Sequence, residues 1–238
     1  MSRLDRRQVI VAGAALAGSA GVAAAMEPMK PPAKAKTWTF DRLDRIGGLT
    51  PRVQGNPVVI DSPQGKAVQF DGVDDALFFD EHPLAGAKTF AFEAIFRPDG
   101  GAFEQRWFHL AEVDPNADPK VVPNGTRFLF EIRVVEDKWY IDAFVTGPGY
   151  KQTLIFPDKL FPVGKWYHVA QTYDGKTYRA YVDGVLQGEA DIAFTPQGPG
   201  RSSAGIRLNG INPFKGAIAT ARFTPSFVPP EKFLKLRK

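Results

Sequence analysis

The stretch Trp166–Gly184, WYHVAQTYDGKTYRAYVDG, leaves few folds open to this chain. Trp166 to Tyr173 and Thr177 to Asp183 alternate bulky with small or polar residues, as strands with one buried face do. Asp174-Gly175 stands between them and Asp183-Gly184 closes the second, and Asp-Gly tolerates the positive φ of tight hairpin turns. Val185 to Glu189 follows as a third strand. A meander of this kind cannot bury its apolar face alone, so a second sheet is expected over it.

Composition agrees with one β-sandwich. The chain has 238 residues, 44% of them apolar, enough for a single large core. Nineteen Phe, 23 Gly and 20 Pro suit strands and tight turns better than helices. The absence of cysteine excludes disulfides, thiol catalysis and thiolate metal sites. The formal charge of +4 falls to +2 once Arg3, Arg6, Arg7 and Asp5 are set aside, too little to suggest nucleic acid.

Those four residues belong to residues 1–25, which carry the pattern of a cleavable signal peptide. A basic start precedes the uncharged, small-residue stretch Val9 to Ala25, and Val22 to Ala25 suits a cleavage site. Arg6-Arg7-Gln8-Val9-Ile10 resembles a twin-arginine signal, which predicts a periplasmic or secreted protein with no stable membrane span after processing. Residues 26–36, with Pro28, Pro31, Pro32 and three lysines, are expected to be a flexible linker, and 37–238 the folded domain.

Within that domain Arg42 to Pro63 is punctuated by Gly and Pro and is expected to be irregular. Strands are expected at Lys66 to Phe70 and Ala76 to Phe79, on either side of Asp71-Gly72, and at Phe90 to Arg97 and Arg106 to Glu112. A Pro-broken loop follows from Val113 to Asn124.

Several of these segments together resemble a known family. Trp166, His168-Val169-Ala170, Asp174-Gly175 and Tyr181-Val182-Asp183-Gly184 match a W-x-H-V-A…D-G…Y-V-D-G signature. Trp38-Thr39-Phe40-Asp41, Gly65-Lys66-Ala67 with Phe70 to Asp75, Phe92-Glu93-Ala94 with Arg97-Pro98, and Phe214-Lys215-Gly216 with Ile218 and Arg222 resemble its other strands in order. The chain thus resembles LamG-like jelly rolls of the concanavalin A-like lectin/glucanase superfamily. The resemblance implies an all-β, antiparallel two-sheet jelly-roll sandwich over roughly Thr37 to Phe233. It does not imply one ligand, because lectins, adhesion modules, hydrolases and lyases share the fold.

The hairpin Arg127 to Thr146 offers the candidate site. Phe128, Phe130, Ile132 and Val134 make one face wholly apolar, and Ile141, Ala143 and Val145 match it on the return strand. Glu131, Arg133, Tyr140, Asp142 and Phe144 then face outward. Centring the turn on Asp137-Lys138 sets Arg133 opposite Asp142 and Glu131 opposite Phe144. Carboxylates and guanidinium groups can bind sugar hydroxyls while a ring stacks on a pyranose, and in related lectins sugars lie on such a face. The alternative is a plain cross-strand ion pair with rings covering the sheet.

Catalytic patterns are mostly missing. The E-x-D-x-E strand of retaining glycosidases on this fold is broken at Glu131-Ile132-Arg133, and Pro115 interrupts it after Glu112-Val113-Asp114. His109 could meet the cleft, whereas His168 sits in the structural signature and His82 precedes a proline. Asp114, Asn116 and Asp118 have calcium-loop spacing, but Pro119 and Gly125 stand where glycine and glutamate are needed. The resemblance implies a structural calcium that Asp71, Asp74 and Asp75 would hold, although Ala219 and Thr220 replace its usual Asp-Glu pair. No cofactor is otherwise expected.

The sequence therefore predicts an exported carbohydrate-binding or surface-interaction module. A polysaccharide-active enzyme on the same fold is the first rival. The second is a structural module that packs on another exported protein, with Lys232 to Lys238 as a basic contact.

Overall fold

The computed structural model describes residues 34–114 and 125–237, all within one compact unit. The expected leader, most of the linker, and Asn116 and Asp118 lie outside the described residues. The first strands are β1 (Lys36–Thr39), β2 (Arg52–Gln54), β3 (Val58–Ser62), β4 (Gly65–Asp71) and β5 (Ala76–Phe79). Then come β6 (Phe90–Pro98), β7 (Glu104–Glu112), β8 (Arg127–Val135), β9 (Lys138–Gly147), β10 (Tyr150–Ile155) and β11 (Phe161–Pro162). The last are β12 (Tyr167–Tyr173), β13 (Thr177–Val182), β14 (Val185–Asp191), β15 (Gly200–Ala204) and β16 (Lys215–Thr224). A 3-10 turn at Pro230–Lys232 is the one helical element among the described residues.

The strands form two antiparallel sheets. The first runs β14-β13-β12-β6-β16-β4-β3, with β1 also on β16, and the second β10-β9-β8-β7-β15-β5-β2, with β11 on β9. This is the jelly-roll sandwich that the alternation and Asp-Gly turns predict. At Asp183-Gly184 both φ angles are positive, 49° and 79°, which closes β13 and β14 with Val182 opposite Val185. Asp71-Gly72, by contrast, leads from β4 in the first sheet to β5 in the second.

Two expectations need correction. Arg42 to Pro63 is not wholly irregular, since it holds β2 and β3. Both end their sheets, and Val53, Val58 and Val59 are exposed, so no buried alternation marks them. In the β8–β9 hairpin the tip is Glu136-Asp137, with Glu136 at φ 55°, and Val135 lies opposite Lys138. Glu131 is therefore opposite Asp142, Arg133 opposite Tyr140 and Leu129 opposite Phe144. The displacement is two residues, so every side chain keeps its expected face.

The core between the sheets is aromatic. Phe92 of β6 meets Phe130 of β8 with ring centroids 3.8 Å apart, and Trp107, Phe108 and Phe223 surround the pair. Trp38 packs on Phe79, Phe108 and Phe223, which ties β1 to both sheets.

The outer face of the first sheet is closed by the chain's own end. Phe233 packs with Ala170 and Tyr181, and Leu234 and Leu236 with Ala67, Ile95, Ala217 and Ala219. Gln64 fastens this strap at Arg237 through two backbone hydrogen bonds, 2.7 and 3.2 Å. Under it lies Glu93, fully buried, which accepts hydrogen bonds from Leu234 N–H (2.7 Å) and Arg222 Nε (2.6 Å) and lies 3.2 Å from His168 Nε2. Burial alone would raise the Glu93 pKa, but the hydrogen bonds from His168, Leu234 and Arg222 outweigh it and hold the pKa below the usual range. The apolar side chains of the basic tail are thus used internally.

Phe92→Ala should cost about 3–5 kcal/mol of folding free energy, because a fully buried ring in this stack leaves a cavity. Urea unfolding followed by tryptophan fluorescence would measure it, and a loss under about 1 kcal/mol would contradict this account of the core.

Candidate functional site

The outer face of the second sheet is polar. Outward positions of β7, β8 and β9 align in rows: Glu104–Arg133–Tyr140, Arg106–Glu131–Asp142, and His109–Leu129–Phe144. All five residues expected at the site, Glu131, Arg133, Tyr140, Asp142 and Phe144, share this face. The structure adds Glu104 and Arg106 from β7 and places His109, which the sequence allows to meet the cleft, on the same face. A bulge at Trp107 shifts the β7 register, so Arg106 and His109, three apart, both point outward. Plain alternation would have sent His109 into the core.

The charges form a ladder. Arg133 Nη2 lies 2.5 Å from Asp142 Oδ2, and its Nη1 lies 3.1 Å from Glu104 and 3.4 Å from Glu131. Arg106 Nε lies 3.3 Å from Glu131, and the same guanidinium pairs with Glu104. Glu131 and Asp142 are only 3% and 2% exposed. Two carboxylates directly across a strand pair repel, and here both are desolvated. Burial first, then the Asp142 charge, push the Glu131 pKa up to about 7 against the pull of Arg106 and Arg133. Burial also raises Asp142, partly offset by Arg133 and Arg106. Asp142 Oδ1 has no hydrogen-bond partner among the described residues.

A loop lies over β7. Gly205 N–H donates to Trp107 O, Phe214 N–H to Gly205 O, and Arg106 N–H to Asn212 O. Gly205 has φ +85° and would press a Cβ within 2.3 Å of the Phe70 ring, so glycine is required there. From this loop Leu208 N–H donates to His109 Nδ1 at 3.1 Å, which leaves the proton of the neutral ring on Nε2. That nitrogen is buried and has no hydrogen-bond partner among the described residues. Burial first, then Arg207, Arg127 and Arg106, hold the His109 pKa well below its ordinary value.

Rings sit at the rim. Tyr140 is 5% exposed, while Phe144 is half-buried with the Arg127 guanidinium 4.8 Å from its centroid. Phe103, just before β7, is 58% exposed and 5.8 Å from the Arg133 guanidinium. Sequence reasoning missed Phe103 because it precedes the strand and follows Gly100-Gly101.

The acidic cluster is a turn device. Single oxygens of Asp71, Asp74 and Asp75 lie within 4.8 Å of one another. Asp75 uses both oxygens on backbone N–H groups, of Asn56 (2.6 Å) and Asp71 (2.9 Å), and Asp71 accepts from Val73 N–H. Asp71 and Asp74 are exposed and Asp75 is tied to two backbone N–H groups, so the turn itself holds the cluster together. Carbonyls and waters would have to complete a calcium shell of six to eight oxygens.

This architecture defines a two-sheet jelly roll with one polar outer face and one strapped shut. The chain belongs to the concanavalin A-like lectin/glucanases superfamily, whose laminin G family model matches residues 71–230. No curated protein matches it in sequence. Domain 4 of AbnA, a GH43 extracellular arabinanase from Geobacillus stearothermophilus solved with arabinotriose, is 18% identical and has a TM-score of 0.61. That match covers 87% of this chain and 100% of that one. The Ruminococcus gnavus IT-sialidase CBM40 solved with α2,3-sialyllactose is 13% identical with a TM-score of 0.56, over 72% of this chain and 96% of that one. The binding domain of Paraclostridial Mosquitocidal Protein 1 is 12% identical with a TM-score of 0.57, over 84% of this chain and 50% of that one. At these identities the likeness is one of fold.

A pKa near 7 makes Glu131 a sensor of pH in stability. Its unfolded pKa is near 4.5 and its folded pKa is raised, so ionisation is disfavoured in the folded state. Relative to Glu131→Gln, the parent should lose stability as pH rises from 4.5 through 7, by up to about 3 kcal/mol at pH 8. Denaturant midpoints of both proteins at pH 4, 6 and 8 would test this, and a gap that does not widen would contradict it.

Proposed function

We propose that the protein is an exported carbohydrate-binding module whose ligand lies on the outer face of the second sheet. The observation that carries this reading is the ladder of Glu104, Arg106, Glu131, Arg133 and Asp142. Desolvating these charges on an outer face costs more than apolar residues would, and a carboxylate pair directly opposed is a poor choice for stability alone. Held in one geometry by the buried Glu131 and Asp142, the partly exposed Glu104, Arg106 and Arg133 present fixed donors and acceptors to sugar hydroxyls. Phe103 supplies an open ring beside Arg133 for the apolar face of a pyranose. Carbohydrate complexes of the arabinanase domain and of CBM40 support the reading by likeness of fold.

An enzyme acting on a polysaccharide is the second reading. It is favoured by Glu131, whose pKa of about 7 suits proton transfer and which faces Asp142 across the strands. Against it, both carboxylates share the Arg133 guanidinium and lie almost wholly out of solvent.

A glycan array on the full chain, with turnover assayed on whichever polymers bind, separates the two. Phe103→Ala and Phe144→Ala should each weaken glycan binding about 5- to 20-fold, with melting temperatures close to the parent's. Asp142→Ala is a poorer probe, because breaking a buried pair costs stability as well. Unchanged binding in both ring variants would remove the ligand from this face, and product release would favour the enzyme.

Export is proposed from Arg6-Arg7 and the stretch after it. Arg6→Lys with Arg7→Lys should retain the protein in the cytoplasm, because a twin-arginine receptor reads the guanidinium pair and not charge alone. Fractionation that finds the variant still delivered to the periplasm would reject that route.

A further inference from the structure

The polar face continues past the ladder. His109 lies opposite Ser203 of β15, Ser203 opposite Phe78 of β5, and Phe78 opposite Arg52 of β2. Here Thr50, Arg52, Phe78, Asp80, Arg201 and Leu208 line a cavity of about 300 Å³, near the lower bound for small-ligand pockets. The Arg52 guanidinium lies over the Phe78 ring, 4.0 Å from its centroid. Such a stack fixes the plane and leaves the N–H edge to form a two-pronged bond with a planar anion. Arg201 points to the same space, and its pair with Asp80, at 3.5 Å, is with a side chain 96% exposed. The Asp80 pair taken by itself is a weak one.

We propose that this cavity receives the acid group of a carboxylated glycan, with Arg52 and Arg201 as the two cations that select it. The inference rests on the glycan-binding reading and adds the class of sugar. A neutral sugar would gain ordinary hydrogen bonds from the two guanidinium groups, whereas a carboxylate gains charge-assisted, paired ones. Leu208 offers an apolar contact to the ring, and Thr50 and Asp80 can bond its hydroxyls. Further cations gather nearby: burial and Arg207 depress the Arg127 pKa, and burial and Arg106 depress that of Arg207.

The test is affinity electrophoresis and calorimetry of the full chain against polygalacturonate, alginate, fully methyl-esterified polygalacturonate and dextran sulfate. Polygalacturonate or alginate should bind at least about 10-fold more tightly than the methyl ester. Arg52→Gln and Arg201→Gln should each weaken that binding about 10- to 100-fold. Lys176→Gln, at an exposed turn of the first sheet, loses the same charge and should bind as the parent does. Melting temperatures of all three variants should match the parent. Equal binding of acid and ester, or parental binding by both arginine variants, would overturn the proposal. So would binding of dextran sulfate without binding of either uronate polymer. Binding of neutral glycans alone would overturn it and leave the glycan-binding reading standing. Failure of every polymer and of the glycan array would reject both.

Discussion

One buried carboxylate holds the first sheet to its cover. Glu93 sits on β6, the strand flanked by β12 and β16, and it meets a cation or donor from each side. His168 belongs to the W-x-H-V-A strand, Glu93 to the Phe92-Glu93-Ala94 segment and Arg222 to the segment of Phe214 to Arg222, so three of the resembling motifs meet at one point. The fourth partner, Leu234 N–H, comes from the strap. Removing any partner would leave charge buried beneath the strap, which is far costlier than losing an exposed pair. The motifs recognise the fold because they build this junction, and for the same reason they say little about a ligand.

Both buried charge clusters depend on β-bulges. In β16 the register shifts between Ile218 and Thr220, which brings Arg222 opposite Glu93. Without the extra residue Arg222 would oppose Phe92 and enter the aromatic core. In β7 the shift between Arg106 and Phe108 does the same for His109. Each bulge re-aims a side chain that plain pleating would place on the wrong face.

This explains what could be read in the sequence. Face assignments in the β8–β9 hairpin were legible, because one apolar face tolerates no odd slip. Register was not, since a slip of two residues keeps every face and changes only the partners. The deciding feature was Glu136 at positive φ, a position for which Glu carries no signal. Glu131, Arg133, Tyr140, Asp142 and Phe144 were therefore placed together, with the wrong pairs opposed. Arg106, and the alignment of His109 with it, were hidden by the bulge, although charged residues at 104 and 106 beside apolar ones at 108 and 110 mark a break in phase. Edge strands β2 and β3 bury too little to leave a pattern. The strap was read as a basic tail because Lys232, Lys235 and Arg237 mask Phe233, Leu234 and Leu236 between them.

Under the proposed glycan-binding role the two outer faces divide the work of the domain. On the first sheet small residues, Ala67, Ala170, Ala217 and Ala219, let the strap lie close over the middle strands. On the second, arginines and carboxylates stand where alanines would pack. Their geometry is set by rigid strands and by mutual pairing, so little side-chain freedom remains to be lost when a ligand arrives. A charged pair raised from solution would have to be ordered first, whereas this ladder is ordered already. The desolvation that makes Glu131 and Asp142 poor contributors to stability is thus the condition for a preorganised polar surface.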